Sequence, residues 1–127
     1  RKAAQLEPNS ALILTDLAKV EIAQSDSTLL SSATTHLEKA SNIDSSNSLT
    51  WRLLATAYGK MGQLGMSYLA LAEEALLADD AETAIRQSEL AIKALPADSS
   101  GNLRAQDLKA RAQQIKKKKE NSSNSPF

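Results

Sequence analysis

Few side chains in this 127-residue chain are placed to perform chemistry. The only histidine is His36, which is followed by Leu37 and Glu38. A helical zinc-peptidase motif needs two histidines one turn apart with a glutamate between them. The histidines bind the metal from one face of the helix, and the glutamate acts as the general base. One histidine cannot supply that site. We interpret His36 as a partly exposed helical residue.

The acidic pairs Glu73-Glu74 and Asp79-Asp80 are the candidates for paired catalytic carboxylates. Adjacent residues on a helix point in different directions, so the two carboxylates of a pair do not face a common substrate. We interpret both pairs as solvated. The sequence also contains no glycine-rich phosphate loop. It therefore predicts a chain with no catalytic residue, no metal site and no cofactor.

The run of four lysines at 116–119 is the candidate for contact with phosphate, in nucleic acid or in anionic lipid. No aromatic residues are interleaved with these lysines, which favours a solvated terminal segment. Residues 1–100 carry 8 basic and 13 acidic groups, whereas residues 101–127 carry 7 basic and 2 acidic groups. This asymmetry is weaker than the strongly basic character of a nucleic-acid-binding domain. We predict no nucleic-acid partner.

The amino-acid composition bears on the fold class and on possible membrane insertion. The chain has no cysteine, which excludes disulfides and zinc–thiolate sites, and aromatic residues make up 3% of it. No window approaches the roughly 18 consecutive apolar residues of a membrane span, so we predict no direct membrane insertion. Abundant alanine and leucine favour closely packed helices.

Apolar periodicity predicts six helices. The first follows a break at Pro8-Asn9-Ser10 and ends near Gln24. The others cover about 28–43, 49–61, 65–78, 81–95 and 103–117. Asp26 or Ser27, Asp80, and Ser99 or Ser100 are the predicted helix caps. We expect the chain after about residue 116 to be frayed.

Two sets of residues in the central segment share helical spacing. The first set lies at steps of three, one and three along one helix face, and the second fits a helix–turn–helix unit that starts at Gly65. The residues are Trp51, Leu54, Ala55 and Tyr58 in the first set, and Tyr68, Leu71, Ala72, Ala75, Ala84, Ala91 and Pro96 in the second. Both sets resemble the tetratricopeptide (TPR) pattern, in which these residues pack helix against helix.

The resemblance implies an all-α, TPR-like solenoid of antiparallel helix pairs, about six helices long. We divide it into the end of a truncated preceding repeat (1–8), a degenerate repeat (9–47), a TPR-like core with an extra half-repeat (48–98), a capping helix (99–117) and a disordered tail (118–127). The third helix then lacks a second helix of its own. Either a half-repeat is inserted, or the fourth helix serves both frames.

TPR arrays bind peptides on a concave surface lined by the first helix of each repeat. Carried over to this chain, the partner-binding residues are Leu12, Thr15, Lys19, Ile22, Leu49, Arg52, Thr56, Lys60, Met66, Leu69, Glu73, Leu76 and Leu77. The lysine–asparagine clamp for chaperone tails is incomplete here. We predict a protein or peptide partner other than those tails.

A closer resemblance covers residues 48–110, through TWRLLATAYGKMGQLGMSYLALAEEALLADDAETAIRQSELAIKALPADS and the following LRAQDL. It is similar to the C-terminal TPR region of bacterial BepA-like periplasmic zinc metallopeptidases, without their HExxH domain. The resemblance implies a non-catalytic arm of an envelope quality-control protease. The alternative is a TPR scaffold for pilus, secretion or lipoprotein assembly. An oligomer of such a fragment can arise from an end that cutting exposes.

Overall fold

The computed structural model describes residues 2–123, with side chains from Asn9 onward, and the regular structure in this range is entirely α-helical. The predicted all-α class is therefore confirmed. The six helices are α1 (Lys2–Gln24), α2 (Ser27–Ile43), α3 (Ser48–Lys60), α4 (Leu64–Leu77), α5 (Ala81–Ala94) and α6 (Ser100–Ser123).

Side-chain caps explain where several helices begin. The Asp26 carboxylate accepts hydrogen bonds from the backbone N–H groups of Thr28 and Leu29, at 2.9 and 3.2 Å. Asp80 accepts one from Thr83 at 3.1 Å, and bonding to Thr83 holds the pKa of Asp80 below its ordinary value. Each cap satisfies backbone donors that the first helical turn leaves unpaired.

Helix α1 continues through Pro8-Asn9-Ser10, so the turn predicted there is wrong. Proline has a backbone φ within the helical range, so a helix can pass through it, although its missing N–H removes one hydrogen bond and its ring crowds the carbonyl four residues earlier. The apolar pattern that begins at Ala11 therefore belongs to a longer helix.

Helix α6 is also longer than predicted. It extends to Ser123, so residues 118–123 are helical where a disordered tail was predicted, and residues 124–127 lie outside the described part of the chain. Lys119 Nζ lies 2.8 Å from Asp79 Oδ2 and also donates to the Asp79 carbonyl at 3.1 Å. Lys116 lies 3.9 Å from Glu82. These contacts join the end of α6 to the α4–α5 turn, which sequence periodicity does not reveal.

Each helix packs against the next one in the chain, and two further contacts divide the molecule into units. Helix α3 also packs on α1, and α6 also packs on α4. Within residues 2–123, α2 makes no contact with α4 and α3 makes none with α5. We call α1–α3 the N-terminal unit and α4–α6 the C-terminal unit; the two pack together through α3 and α4, whose contact is among the most extensive in the molecule.

An apolar core lies in each unit, and the core of the N-terminal unit extends into α4 through Ala70. Leu37 is fully buried in the N-terminal unit and Leu108 in the C-terminal unit. Helices approach closely at alanines, because a methyl side chain keeps the two backbones near each other. The completely buried alanines include Ala72, Ala84 and Ala91.

The aromatic residues of the central segment lie in or beside these cores. Tyr58 is buried, while Trp51 packs half-buried against the N-terminal core and donates its indole N–H to the Ser45 carbonyl at 2.9 Å. Tyr68 packs half-buried against the C-terminal core. The three side chains therefore connect helices and do not form an exposed stacking surface.

The two ends of the molecule differ in polarity. The outer face of α1, away from the core, exposes Leu12, Ile13, Leu17 and Val20. The outer face of α6 is largely polar, with Gln114 and Lys117 among its exposed residues. None of the helices described here combines the length and apolarity needed to cross a membrane.

The Tyr58 hydroxyl donates to the Glu38 carboxylate, and burial, this hydrogen bond and the negative charge raise the pKa of Tyr58. We expect Tyr58 to stay protonated above pH ~10, where an unperturbed phenol ionises. Because the folded-state pKa exceeds the unfolded-state value, this contribution to stability is complete below pH ~10 and is lost as the pH rises further. Ultraviolet titration of a Tyr68→Phe variant, in which Tyr58 is the only tyrosine, measures this directly. Ionisation at the ordinary phenol pKa in the folded protein would contradict the structure.

Candidate functional site

The predicted site residues of α1 differ in their solvent exposure. Leu12 and Lys19 are exposed, whereas Thr15 is 2% exposed. Thr15 Oγ1 donates to the Ala11 carbonyl at 2.9 Å and lies 3.1 Å from Thr50 Oγ1. Thr15 therefore joins α1 to α3, and its predicted place on an open surface is corrected. Ile22 is likewise buried in the N-terminal core.

The predicted residues of α3 are all exposed, but their polar groups bond to neighbouring elements. Arg52 Nε lies 2.6 Å from Glu74 Oε2 of α4. Lys60 donates to Ser25 at 2.9 Å, and Thr56 donates to the Arg52 carbonyl of its own helix at 3.1 Å. Leu49 is 40% exposed and is the main apolar contribution of α3 to the surface.

The predicted residues of α4 divide between core and surface. Leu69 is 8% exposed and packs in the C-terminal core, so its predicted contact with a partner is corrected, and Met66 is half-buried against both cores. Leucine on the packed face of a short helix is taken up by the core because burial stabilises it. Glu73, Leu76 and Leu77 face an opening between α4 and α6.

The structure does not bring the predicted residues together into one surface. Among the described residues α1 makes no contact with α4, and the two sets are connected only through α3. Arg52 belongs to a depression of about 280 Å³ between α3, α4 and α5, where Glu74 already pairs with it. The predicted residues Glu73, Leu76 and Leu77 line a separate, open depression between α4 and α6.

We call this site the α4–α6 groove. It is a depression of about 190 Å³ that runs between the C-terminal part of α4 and the middle of α6, next to the loop before α3. Its lining residues are Ser45, Glu73, Leu76, Leu77, Arg104, Arg111 and Ile115.

An ion pair closes one end of the groove. Arg104 donates two hydrogen bonds to the Glu73 carboxylate, from Nε at 2.8 Å and from Nη2 at 2.9 Å, and a third to Asp107 at 3.2 Å. The bonds to Glu73 raise the pKa of Arg104, so its guanidinium is always charged. Since the Glu73 side chain is only 11% exposed, we assign this pair to holding α6 against α4.

The remaining groove residues combine a positive charge with apolar surface. Arg111 is exposed and forms no ion pair with any described residue. Leu76 and Ile115 are half-buried, and Leu77 is 44% exposed. A site of this composition suits an apolar side chain followed by a carboxylate, as in a peptide segment of another protein.

The α6 residues of this groove are absent from the predicted site. Arg104, Arg111 and Ile115 belong to the segment that is predicted only as a capping helix (99–117). Their seven-residue spacing indicates that the two arginines share a helix face. The missing information was tertiary, because only the packing of α6 on α4 turns that face into a wall of a groove.

The isolated titratable groups do not assemble into a further site. His36 Nδ1 lies 2.8 Å from Glu21 Oε1, which links α2 to α1. Within the described range, no group of three or more histidine, cysteine, aspartate or glutamate side chains is placed to hold a metal ion.

Comparisons of the chain with protein-family models, with curated proteins and with solved structures find no match. The resemblance of residues 48–110 to a peptidase-associated TPR region therefore stays a prediction from the sequence.

Proposed function

We propose that this chain is a non-catalytic protein-interaction module that binds a peptide segment of another protein in the α4–α6 groove. The observation that carries the proposal is the composition of the groove. Arg111, which forms no ion pair with a described residue, lies beside Leu76, Leu77 and Ile115 on an open surface. The Glu73–Arg104 pair holds the two helices that form it. A preformed groove lowers the entropy cost of binding, because its two helices are already held together before the ligand arrives.

The proposed architecture is a TPR-like array. Its support is the contact of each first helix with the next helix but one, α1 with α3 and α4 with α6. The buried Leu54, Ala55 and Tyr58 of α3 also support it, since the TPR pattern places these types at helix–helix contacts. In this proposal α4 serves both frames, as the second helix after α3 and the first helix before α5.

We further propose that the module works in the bacterial envelope, as the partner-binding arm of a BepA-like periplasmic metallopeptidase. The support is the resemblance of residues 48–110, a segment that includes the α4 wall of the groove and Arg104. Its partners are then outer-membrane proteins or the machinery that assembles them. The alternative, an assembly scaffold without a peptidase, predicts partners from pilus, secretion or lipoprotein assembly.

A photo-crosslinking experiment in the cell of origin tests the proposed function. A crosslinking amino acid at Leu77 is expected to capture a protein partner, because this side chain is 44% exposed and lines the groove. The matched control is Leu90 of α5, which is 38% exposed and does not line the groove. The captured protein is identified by mass spectrometry and then tested for binding as a purified protein.

The two positions separate the outcomes. Capture at position 77 but not at 90 supports the proposal if the purified partner also binds the chain. A soluble peptide that occupies the groove must then compete with this binding. Equal capture at both positions, or none at 77 in a folded protein, contradicts it. The identity of the partner then decides between the envelope quality-control arm and the assembly scaffold.

A further inference from the structure

We infer that the segment bound in the α4–α6 groove is an acidic amphipathic helix whose carboxylates are seven residues apart. The inference rests on the proposed function and specifies the chemistry of the partner. It follows from three basic residues of α6 at seven-residue spacing, which we call the basic ridge: Arg104, Arg111 and Lys118.

The spacing places these side chains on nearly one line. Seven residues correspond to about 10.5 Å along a helix and to almost two full turns. Arg104 is held by Glu73, whereas Arg111 and Lys118 form no ion pair with a described residue. The neighbouring Lys116 and Lys119 are turned toward Glu82 and Asp79. Arg111 lines the groove, and Lys118 lies beyond its end, on an adjoining depression that Arg111 and Ile115 also line. The ridge therefore offers two available positive charges whose backbone positions are about 10.5 Å apart.

This distance favours a helical ligand over an extended one. Carboxylates seven residues apart on a helix are also about 10.5 Å apart and point the same way. In an extended chain, three residues cover roughly the same distance, but their side chains point to opposite faces. Apolar residues midway between the carboxylates of a helix would lie level with Ile115 and Leu77, the apolar part of the groove.

The groove is less suited to nucleic acid or a lipid surface. A nucleic-acid backbone or a lipid headgroup would leave Leu76, Leu77 and Ile115 of the groove without an apolar partner. The half-buried Trp51 and Tyr68 pack against the cores, which removes them as platforms for stacking bases. The apolar residues of the groove, Leu76, Leu77 and Ile115, match the apolar face of a peptide helix.

The test uses a labelled synthetic helix of about 20 residues, with glutamates at seven-residue intervals and leucines between them. Fluorescence anisotropy measures its affinity for the full chain. We expect Arg111→Glu to weaken binding about tenfold or more and Lys118→Glu to weaken it severalfold, because each places like charges together. Lys93→Glu of α5 makes the same charge change on an exposed residue outside the groove, and it is expected to alter affinity less than about twofold.

Exchanging the charges on both sides gives the sharpest result. A peptide with lysines in place of the glutamates is expected to bind the Arg111→Glu/Lys118→Glu double variant more tightly than it binds the original chain. Circular dichroism checks that each variant is folded. Equal weakening by Arg111→Glu and Lys93→Glu, or equal binding of a glutamine-substituted peptide, would overturn the inference. The inference would also be overturned if a DNA oligonucleotide or anionic phosphatidylserine vesicles bound more tightly than the acidic peptide and this binding depended on Arg111.

The inference and the proposed function can fail separately. If the acidic helix does not bind but Leu77 still crosslinks a partner that Arg111→Glu leaves unchanged, the inference is wrong and the interaction module remains. If neither the peptide nor the crosslink is seen, both are wrong.

Discussion

Leu108→Ala is expected to lower the free energy of unfolding by about 2–5 kcal/mol, the range found for large-to-small changes in packed cores. Leu108 is fully buried in the C-terminal core, which it shares with Leu69, Ala72, Ala91 and Ala105. The alanines of this core cannot change conformation to fill the space that the leucine leaves, so a cavity remains unless the larger side chains move. Since small domains are stable by only about 5–15 kcal/mol, this is a large fraction of the total. Urea denaturation followed by circular dichroism measures it.

Leu103→Ala is the matched control, because Leu103 lies on the same helix and is 57% exposed. We expect it to change stability by less than about 0.5 kcal/mol. Hydrogen exchange adds a second reading. Protection in Leu108→Ala should fall most in α4–α6, because the two units meet only through α3 and α4. A uniform loss, or equal effects of the two leucines, would show that this division of the core is wrong.

Gly65→Ala is expected to destabilise the protein by about 1–2 kcal/mol, although alanine normally stabilises a helix relative to glycine. Gly65 is buried at the start of α4, and a Cβ atom there would lie 2.7 Å from Leu95 Cδ2 and 2.8 Å from Leu95 Cγ. It would also lie 3.3 Å from Ala94 Cβ. Leu95 must therefore move away from the core that it packs against.

Gly59→Ala is the comparison variant, and we expect it to change the free energy of unfolding in the opposite direction. Gly59 is exposed in α3, and the nearest atom to an added Cβ is Ser67 Oγ, at an ordinary contact distance of 3.6 Å. The helix propensity of alanine then acts alone, and we expect a gain of about 0.5–1 kcal/mol. Thermal or urea unfolding of the two variants decides the matter. A Gly65→Ala protein as stable as Gly59→Ala would rule out the close approach of α4 to Leu95.

The parts of the fold that sequence reasoning predicted correctly depend on local physics. The caps at Asp26 and Asp80 follow from the hydrogen-bonding capacity of a side chain near its own helix start. The apolar spacing of α3 and α5 matches their buried faces, because one turn of helix relates one contact to the next. Such signals lie within a few residues of one another.

The failures involve contacts between residues distant in the chain. The extension of α6 beyond Lys117 accompanies the contact between Lys119 and Asp79, which are forty residues apart. The burial of Thr15 depends on Thr50, which belongs to another helix. Leu69 was predicted to face a partner because one helix alone does not show which of its apolar sides the neighbours cover. The groove itself needed the position of α6 on α4.

In the proposed TPR-like array α4 serves both frames, and this has a consequence for how long a ligand can be. In a regular array, α1, α3 and α5 would form one continuous inner wall, but α3 and α5 do not touch in the described part of this chain. The proposed array therefore has two separate inner walls, formed by α1 and α3 in one half and by α4 and α6 in the other. One long rigid peptide cannot follow both halves. A partner that carries two short motifs on a flexible linker would bind by avidity, because engagement of the first motif raises the effective concentration of the second.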